Sequence, residues 1–134
     1  MVPRALTLQM GKRERARLEL RSRVFKALAH PARLFFVEVL SQRERCVCEL
    51  AEMTGVDVST ASRHLALLRQ AGIISAEKRG AGVHYRLRMR CVLGFLECVE
   101  AELIAAAKER LRLARAGARS KLSSSGTTGV KSRR

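Results

Sequence analysis

In this 134-residue chain, two cysteines separated by a single residue, Cys46 and Cys48, are the side chains whose type and spacing best suit ligand binding. Thiolates are soft ligands, so a Cys-x-Cys pair favours arsenic, antimony, cadmium, lead or copper(I) over magnesium or calcium. Affinity requires deprotonated sulfur. The pair therefore predicts a site for a thiophilic ligand, and the alternative is two half-buried thiols with a purely structural role.

Two further cysteines, Cys91 and Cys98, lie seven residues apart and so share one face of a predicted helix. We favour packing against a partner helix for them, with a third ligand or a redox role as the alternative. The N-terminus lacks the apolar segment and cleavage site of a secretory signal, which predicts a cytoplasmic protein. In that reducing compartment a disulfide framework is not expected.

The residues that follow the cysteine pair predict the elements that position it. Gly55 is the predicted turn between a helix that begins near the cysteines and a second helix that begins at Val58. In the second helix, Ala61, Leu65 and Leu68 repeat at helical spacing. Two short helices joined by a glycine turn are typical of a helix-turn-helix, whose second helix enters the major groove of DNA.

The polar face of the second helix supplies candidate DNA contacts. Arginine can read guanine edges, while serine and threonine suit bases or phosphates. The candidates are Ser59, Thr60, Ser62, Arg63 and His64. Of these, Ser59 is also the residue expected to cap the N-terminus of the helix.

The thiol pair and this DNA-reading unit together predict a switch. Residues two apart on an ideal helix point about 200° away from each other, so chelation by both thiols requires the first helical turn to unwind. Because that helix supports the recognition helix, ligand binding would weaken DNA binding.

Two predicted strands, 73–78 and 83–87, follow the recognition helix and are joined by a glycine-rich tip at 80–82. A β-hairpin in this position is a wing, and its residues Arg79, His84 and Arg86 are expected to approach phosphates or the minor groove. Predicted helices at 12–28, 32–40 and 91–113 complete the chain. The fold class is therefore mainly α with a small β-hairpin, a winged helix-turn-helix that dimerises through its terminal helices.

Composition indicates the partner. Lysine and arginine number 27 against 12 acidic residues, which gives a net charge of +15 and favours a polyanion such as double-stranded DNA. An anionic membrane is the competing partner, but no apolar run is long enough to span one. No acid–base pair, nucleophile–base arrangement or phosphate-binding loop predicts an enzyme.

Three regions are predicted along the chain: an N-terminal arm over residues 1–11, the DNA-binding and dimerisation domain over 12–114, and a tail over 115–134. The tail carries six basic residues and no acidic one, with a run of serine, glycine and threonine. Such a composition cannot support a core, so the tail is predicted to be disordered.

Several of these segments resemble the ArsR/SmtB family of metal-sensing repressors. They are Ser62–Arg69, Ala71–Ile74 and Val83–Leu87, and Ala29–Leu34 is similar to the start of that family's second helix. The resemblance spans residues 26–87 and continues more weakly to residue 109. It implies a homodimeric winged-helix repressor, without a permanent cofactor, that leaves its operator when a metal or metalloid ion, or in some members an oxidant, binds.

Residues 46–50, Cys-Val-Cys-Glu-Leu, resemble the Cys-Val-Cys-Asp-Leu-Cys motif of the arsenical sensors in that family. The resemblance implies trivalent arsenic or antimony, or another thiophilic metal ion, as the inducer. Ala51 stands where the motif has its third cysteine, so the third ligand is an exogenous thiol, or Cys91 or Cys98 of either subunit. The alternatives are a redox or persulfide sensor of the same fold and, less favoured, an architectural DNA-binding protein without operator preference.

Overall fold

The computed structural model describes residues 10–124. Its elements are, in chain order, α1 (Lys12–Leu28), α2 (Pro31–Gln42), β1 (Arg45–Cys46), α3 (Val47–Thr54), α4 (Val58–Gln70), β2 (Ile74–Arg79), β3 (Gly82–Leu87) and α5 (Cys91–Ser124). They form two compact units, one ending at Leu93 and the other beginning at Gly94, within α5. The mainly α winged helix-turn-helix predicted from the sequence is confirmed. Residues 1–9 of the predicted arm lie outside the described residues.

The core of the first unit lies where α2, α3, α4 and the start of the sheet meet. Its fully buried large side chains are Phe36, Val37, Leu50, Leu65, Leu68, Ile73 and Ile74. The positions in α4 that repeat at helical spacing, Ala61, Leu65 and Leu68, are all completely buried. The apolar period that predicted α4 is therefore also the reason that this helix is held on the core.

A left-handed glycine ends α4 and directs the chain into the wing. Gly72 has φ +77°, a conformation that a residue with a Cβ adopts only under strain. The Gly72 N–H donates to the Arg69 carbonyl and the Ile73 N–H to the Leu68 carbonyl, each at 3.0 Å. This is the Schellman arrangement, and it satisfies the last carbonyls of the helix.

The wing belongs to a three-stranded antiparallel sheet in the order β1-β3-β2. Arg79 pairs with Gly82 across the tip, so the predicted hairpin is confirmed. The third strand, β1, is absent from the sequence prediction; Arg43 and Glu44 form the short connector between α2 and β1. In β1, Arg45 pairs with Tyr85 and Cys46 with His84.

The helix α5 is longer than predicted. It continues to Ser124, whereas the sequence predicted a helix to residue 113 and a disordered tail from 115. The disorder prediction is therefore corrected over residues 115–124. The physical reason is that Ala116, Ala118, Lys121 and Leu122 are good helix formers, which outweigh the single Gly117 between them. Residues 125–134 lie outside the described residues.

Candidate nucleic-acid interface and thiol site

The recognition helix α4 begins at an aspartate rather than at the predicted serine. Asp57 is the N-cap, and its Oδ1 accepts the Thr60 N–H at 2.6 Å and the Ser59 hydroxyl at 2.9 Å. These hydrogen bonds, from Thr60 first and then from Ser59, lower the pKa of the Asp57 carboxyl. The prediction that Ser59 caps α4 is therefore wrong. The sequence carried the correct signal, an aspartate three residues before a threonine at the start of an apolar period.

The structure places the predicted DNA contacts of α4 unequally. Ser59 and Arg63 are exposed, whereas Thr60 and Ser62 are half-buried. Arg63 lies one helical turn after Ser59, so these two side chains share a face of α4. This outer face of the first two turns of α4 is accessible in the free protein.

His64 differs from its predicted outward position. Its half-buried ring lies 4.4 Å, centroid to centroid, from the ring of His30 and makes an edge contact with Phe36 at 6.4 Å. Its Nδ1 accepts from the Arg33 guanidinium at 3.1 Å. Burial first, and then the charges of His30 and Arg33, lower the pKa of His64. The neutral imidazole is therefore the form that fits this position.

Arg33 connects His64 to two other helices. Its Nε donates to the Ala27 carbonyl at 2.5 Å and one terminal nitrogen to the Lys26 carbonyl at 3.4 Å, at the end of α1. His30 caps α2 by accepting the Ala32 N–H at 3.1 Å. The His64 side chain thus positions α4 against α1 and α2. Sequence reasoning missed Arg33 because it lies 31 residues from His64, and no local pattern signals such a pair.

The polar face of the sheet carries all three predicted wing contacts. Side chains alternate along a strand, so the register places His84 and Arg86 of β3 on the same face as Glu77 and Arg79 of β2. The Arg79 guanidinium is also held by Glu44, just before β1, at 2.7 Å and by Glu77 at 2.9 Å. Both wing arginines therefore face carboxylates in the free protein, since Arg86 lies 3.6 Å from Glu44.

These ion pairs leave the wing arginines free to exchange their partners. The side chains involved are between 29% and 66% exposed, and ion pairs this accessible to water are weak. A phosphate can therefore replace a carboxylate on either guanidinium at small cost. No local pattern indicates that Glu44 pairs with the wing arginines, because the contact depends on the β1–β3 pairing.

The first thiol of the pair caps α3. Cys46 is the N-cap in an extended conformation, and its Sγ accepts the Glu49 N–H at 3.5 Å. In return the Cys46 N–H donates to Glu49 Oε1 at 3.5 Å, which completes a capping box. Cys48 follows within the first turn of α3 and is exposed. The predicted geometry of two helical thiols is thus corrected: Cys46 lies in β1, outside the helix.

Glu49 also forms ion pairs with the two arginines beside the thiols. Its carboxylate lies 2.8 Å from a terminal nitrogen of Arg43 and 3.5 Å from one of Arg45. Partial burial raises the pKa of Glu49. The hydrogen bond from Arg43, the hydrogen bond from the Cys46 N–H and the charge of Arg43 together outweigh burial, so that the pKa of Glu49 is lowered. The carboxylate is therefore ionised and holds the connector, the cap and α3 together.

The thiol site supplies two soft donors and no complete ligand set. All four cysteines are free; Cys46 is half-buried and the other three are exposed. Across residues 10–124, no three histidine, cysteine, aspartate or glutamate side chains are grouped closely enough to hold a metal ion. The donor chemistry fits a thiophilic ion, but a third donor has to be brought to the pair. Cys91 belongs to the first compact unit and Cys98 to the second.

Within the described part of the chain, none of the helices has the length and apolar character needed to cross a bilayer.

Comparison with known proteins identifies the family. The model of the bacterial regulatory protein, arsR family, matches residues 30–76, from the cap of α2 into β2. The arsenical resistance operon repressor of Escherichia coli (strain K12) is 46% identical over 65 residues, which cover 48% of this chain and 56% of that repressor. The HTH-type transcriptional regulator Rv0324 of Mycobacterium tuberculosis (strain ATCC 25618 / H37Rv) is 39% identical over 75 residues, which cover 56% of this chain and 33% of that regulator. In both cases the match spans less than two thirds of the relative.

A solved structure matches over a larger share. The homodimeric winged helix-turn-helix DNA-binding domain of Mb0332 from Mycobacterium bovis is 33% identical, with a TM-score of 0.62, and the match covers 73% of this chain and 90% of that one. The relatives and the fold are those of DNA-binding transcriptional regulators, not of enzymes. The matched residues include the whole helix-turn-helix and the thiol pair, and the chain belongs to the arsR family of bacterial regulatory proteins.

Proposed function

We propose that this chain represses transcription as a homodimer on double-stranded operator DNA, and that it leaves the operator when a thiophilic ligand binds Cys46 and Cys48. The observation that carries the proposal is the position of Cys46. It caps the first helix of the helix-turn-helix and pairs with the wing strand β3. A ligand on this sulfur would act on both parts of the DNA-reading unit.

DNA binding is supported by the exposed face of α4 together with the wing. Arg63 is exposed on the recognition helix, and the wing presents Arg79 and Arg86 on one face of the sheet. We assign bases and phosphates of the major groove to Ser59, Thr60, Ser62 and Arg63, and phosphates or the minor groove to the wing. The surplus of 27 basic over 12 acidic residues supports affinity for a polyanion.

Dimerisation is supported by apolar side chains that each unit leaves uncovered. Leu20 of α1 is 63% exposed, and Leu103 and Ile104 of α5 are 67% and 49% exposed. Amphipathic helices that leave such side chains exposed suit a self-complementary interface. The M. bovis relative is described as homodimeric. A two-fold dimer would match the symmetry of a palindromic operator.

The ligand we propose is trivalent arsenic or antimony, or another thiophilic metal ion. Two adjacent thiols select soft ions, and the E. coli relative with 46% identity is an arsenical resistance operon repressor. Ligand binding would withdraw the Cys46 sulfur from the Glu49 N–H and so remove the cap of α3. Cys91 and Cys98 stay candidates for a third ligand. A cytoplasmic location, where thiols remain reduced, belongs to the same proposal.

The test measures, by fluorescence anisotropy, the release of the reduced protein from a promoter fragment of its own gene. Arsenite and then cadmium are titrated into the complex. We expect release with the unchanged protein and none with Cys46→Ser or Cys48→Ser. Cys91→Ser and Cys98→Ser are matched controls that remove one exposed thiol each, and loss of release in one of them would identify a third ligand. Retained release in the Cys46→Ser protein would contradict the assignment of the sensor.

A redox or persulfide sensor is the second candidate. Three of the four free cysteines are exposed, and exposed thiols are the ones that oxidants reach. Such a sensor would release DNA on treatment with diamide without metal, and reductant would restore binding. If the protein instead bound random duplex as tightly as its promoter, with a steep dependence on salt, it would be an architectural DNA-binding protein.

A further inference from the structure

We infer that His84 of the wing strand is the third donor of the thiol site, which then binds a thiophilic divalent cation through Cys46, Cys48 and His84. The inference rests on the proposed function, because it requires the thiol pair to bind a ligand. It replaces a third cysteine with a side chain of the strand that pairs directly with Cys46.

The β1–β3 register brings the first two donors together. Cys46 and His84 are direct cross-strand partners, so both side chains project from the same face of the sheet. Directly opposed residues in antiparallel strands have Cβ atoms about 4.5–5.5 Å apart. Both residues are half-buried, so neither is sealed inside the core. This placement of Cys46 beside His84 follows from the backbone hydrogen bonding of the two strands.

The second thiol joins them if β1 grows by two residues. Continuing the register past the Cys46–His84 pair places Val47 opposite Val83 and Cys48 opposite Gly82. Alternate residues of a strand share a face, so Cys46 and Cys48 would then lie side by side, next to His84. Gly82 has no side chain, and a Cβ built there would meet nothing within 4 Å. The space beside Gly82 on this face is therefore open to the Cys48 side chain.

This change requires the first turn of α3 to open, and that turn is held by the Glu49 ion pairs with Arg43 and Arg45 and by the Cys46 cap. The cap is a sulfur acceptor at 3.5 Å from the Glu49 N–H, and sulfur is a poor hydrogen-bond acceptor. Movement of the Cys46 sulfur toward a cation shared with Cys48 would break this contact. No group of three donors is preformed among residues 10–124, so the site would have to assemble on binding.

The donor set determines the class of ligand. Two thiolates and one imidazole suit zinc, cadmium or cobalt(II), and zinc sites with this composition keep a fourth position open. Glu77 lies on the other flank of His84, as its cross-strand partner in β2. A carboxylate beside a ligating histidine is the usual arrangement that orients the ring toward a metal. His84 is also a proposed wing contact, so the cation and DNA would compete for the same side chain.

The experiment uses cobalt(II) with the reduced full-length protein, because the near-ultraviolet charge-transfer absorption of this ion reports bound thiolates. Cys46→Ser and Cys48→Ser each lose part of that absorption. His84→Gln is expected to keep it while binding cobalt at least about ten-fold more weakly, since loss of even an outer partner of a metal ligand costs 10–100-fold. His30→Asn is the matched control, because it removes a different histidine and keeps a side chain able to cap α2.

The outcomes separate this inference from the proposed function. Equal cobalt affinity in His84→Gln and the unchanged protein would overturn the role of His84, and arsenite-driven release of DNA would still stand. Absence of thiolate absorption in the unchanged protein, together with no release of DNA by any thiophilic ion, would overturn both. A ten-fold loss in His30→Asn equal to that in His84→Gln would also overturn the inference, because the effect would then not be specific to the wing.

Discussion

Exchange of Cys46 for serine should stabilise the fold and at the same time abolish the response to thiophilic ligands. The Cys46 sulfur accepts the Glu49 N–H at 3.5 Å, and Glu49 returns a hydrogen bond to the Cys46 backbone. Serine is among the preferred N-cap residues, and with glutamate three residues later it forms the usual capping box. Cys46→Ser therefore keeps the geometry of the cap and replaces a weak acceptor with a strong one.

The size of the effect follows from the cap alone. Loss of an oxygen cap to alanine costs about 1 kcal/mol in the free energy of unfolding. A sulfur cap at 3.5 Å recovers only part of that, so we expect Cys46→Ser to gain and Cys46→Ala to lose about 0.5 kcal/mol each. For a domain of this size, such a change corresponds to about 2–4 °C in Tm.

The assay is thermal unfolding of the reduced protein, followed by circular dichroism at 222 nm, for all three residues at position 46. The expected order of Tm is serine above cysteine above alanine. Cys48→Ser is the control: Cys48 is exposed and is not the cap of α3, so its Tm should stay close to that of the unchanged protein while that of Cys46→Ser rises. A serine variant that melts below the alanine variant would refute the capping role of Cys46.

Three further predictions follow from single positions. Gly55 has φ +71°, and a Cβ built there meets open space, so Gly55→Ala should lower the free energy of unfolding by about 1–2 kcal/mol through conformation alone, and Gly55→Asn by less. Equal midpoints of urea unfolding for the glycine and alanine proteins would contradict this. Leu65 is completely buried, so Leu65→Ala should cost about 2–5 kcal/mol, and a loss below about 1 kcal/mol would mean that α4 is not held on the core. The lowered pKa of folded His64 means that the unfolded chain binds its proton more readily, so stability is complete above about pH 6.5 and falls as the pH drops below it. His64→Gln should flatten that dependence in urea titrations at pH 5 to 8, and an unchanged slope would exclude His64 as its source.

Local signals were sufficient for the elements that carry DNA binding. The period of Ala61, Leu65 and Leu68 predicted both the presence of α4 and the face that it buries, because one physical cause produces both. The turn at Gly55 was predictable because it requires a positive φ. The wing was predictable from two apolar runs and a glycine tip.

The contacts that adjust the site depend on pairs far apart in the chain. A strand of two residues such as β1 is too short to show alternation, so neither it nor the Cys46–His84 pairing could be read from the sequence. The inward position of His64 depends on Arg33, 31 residues earlier. The prediction of disorder was wrong over residues 115–124 for a different reason. The low complexity lies toward the end of the chain, whereas the residues before it have a high helix propensity and continue α5.

The shortness of the connector determines how far a ligand at Cys46 can act. Only Arg43 and Glu44 separate the end of α2 from β1, so β1 cannot shift without moving Glu44. Glu44 and Cys46 are two residues apart in extended chain and share a face, and Glu44 holds the wing arginines Arg79 and Arg86. A ligand that draws Cys46 and Cys48 together would therefore change the cap of α3 and the carboxylate that faces the wing in one movement. On the proposed function, the thiol site need not transmit its effect through the core, because both parts of the DNA-reading unit are attached to it directly.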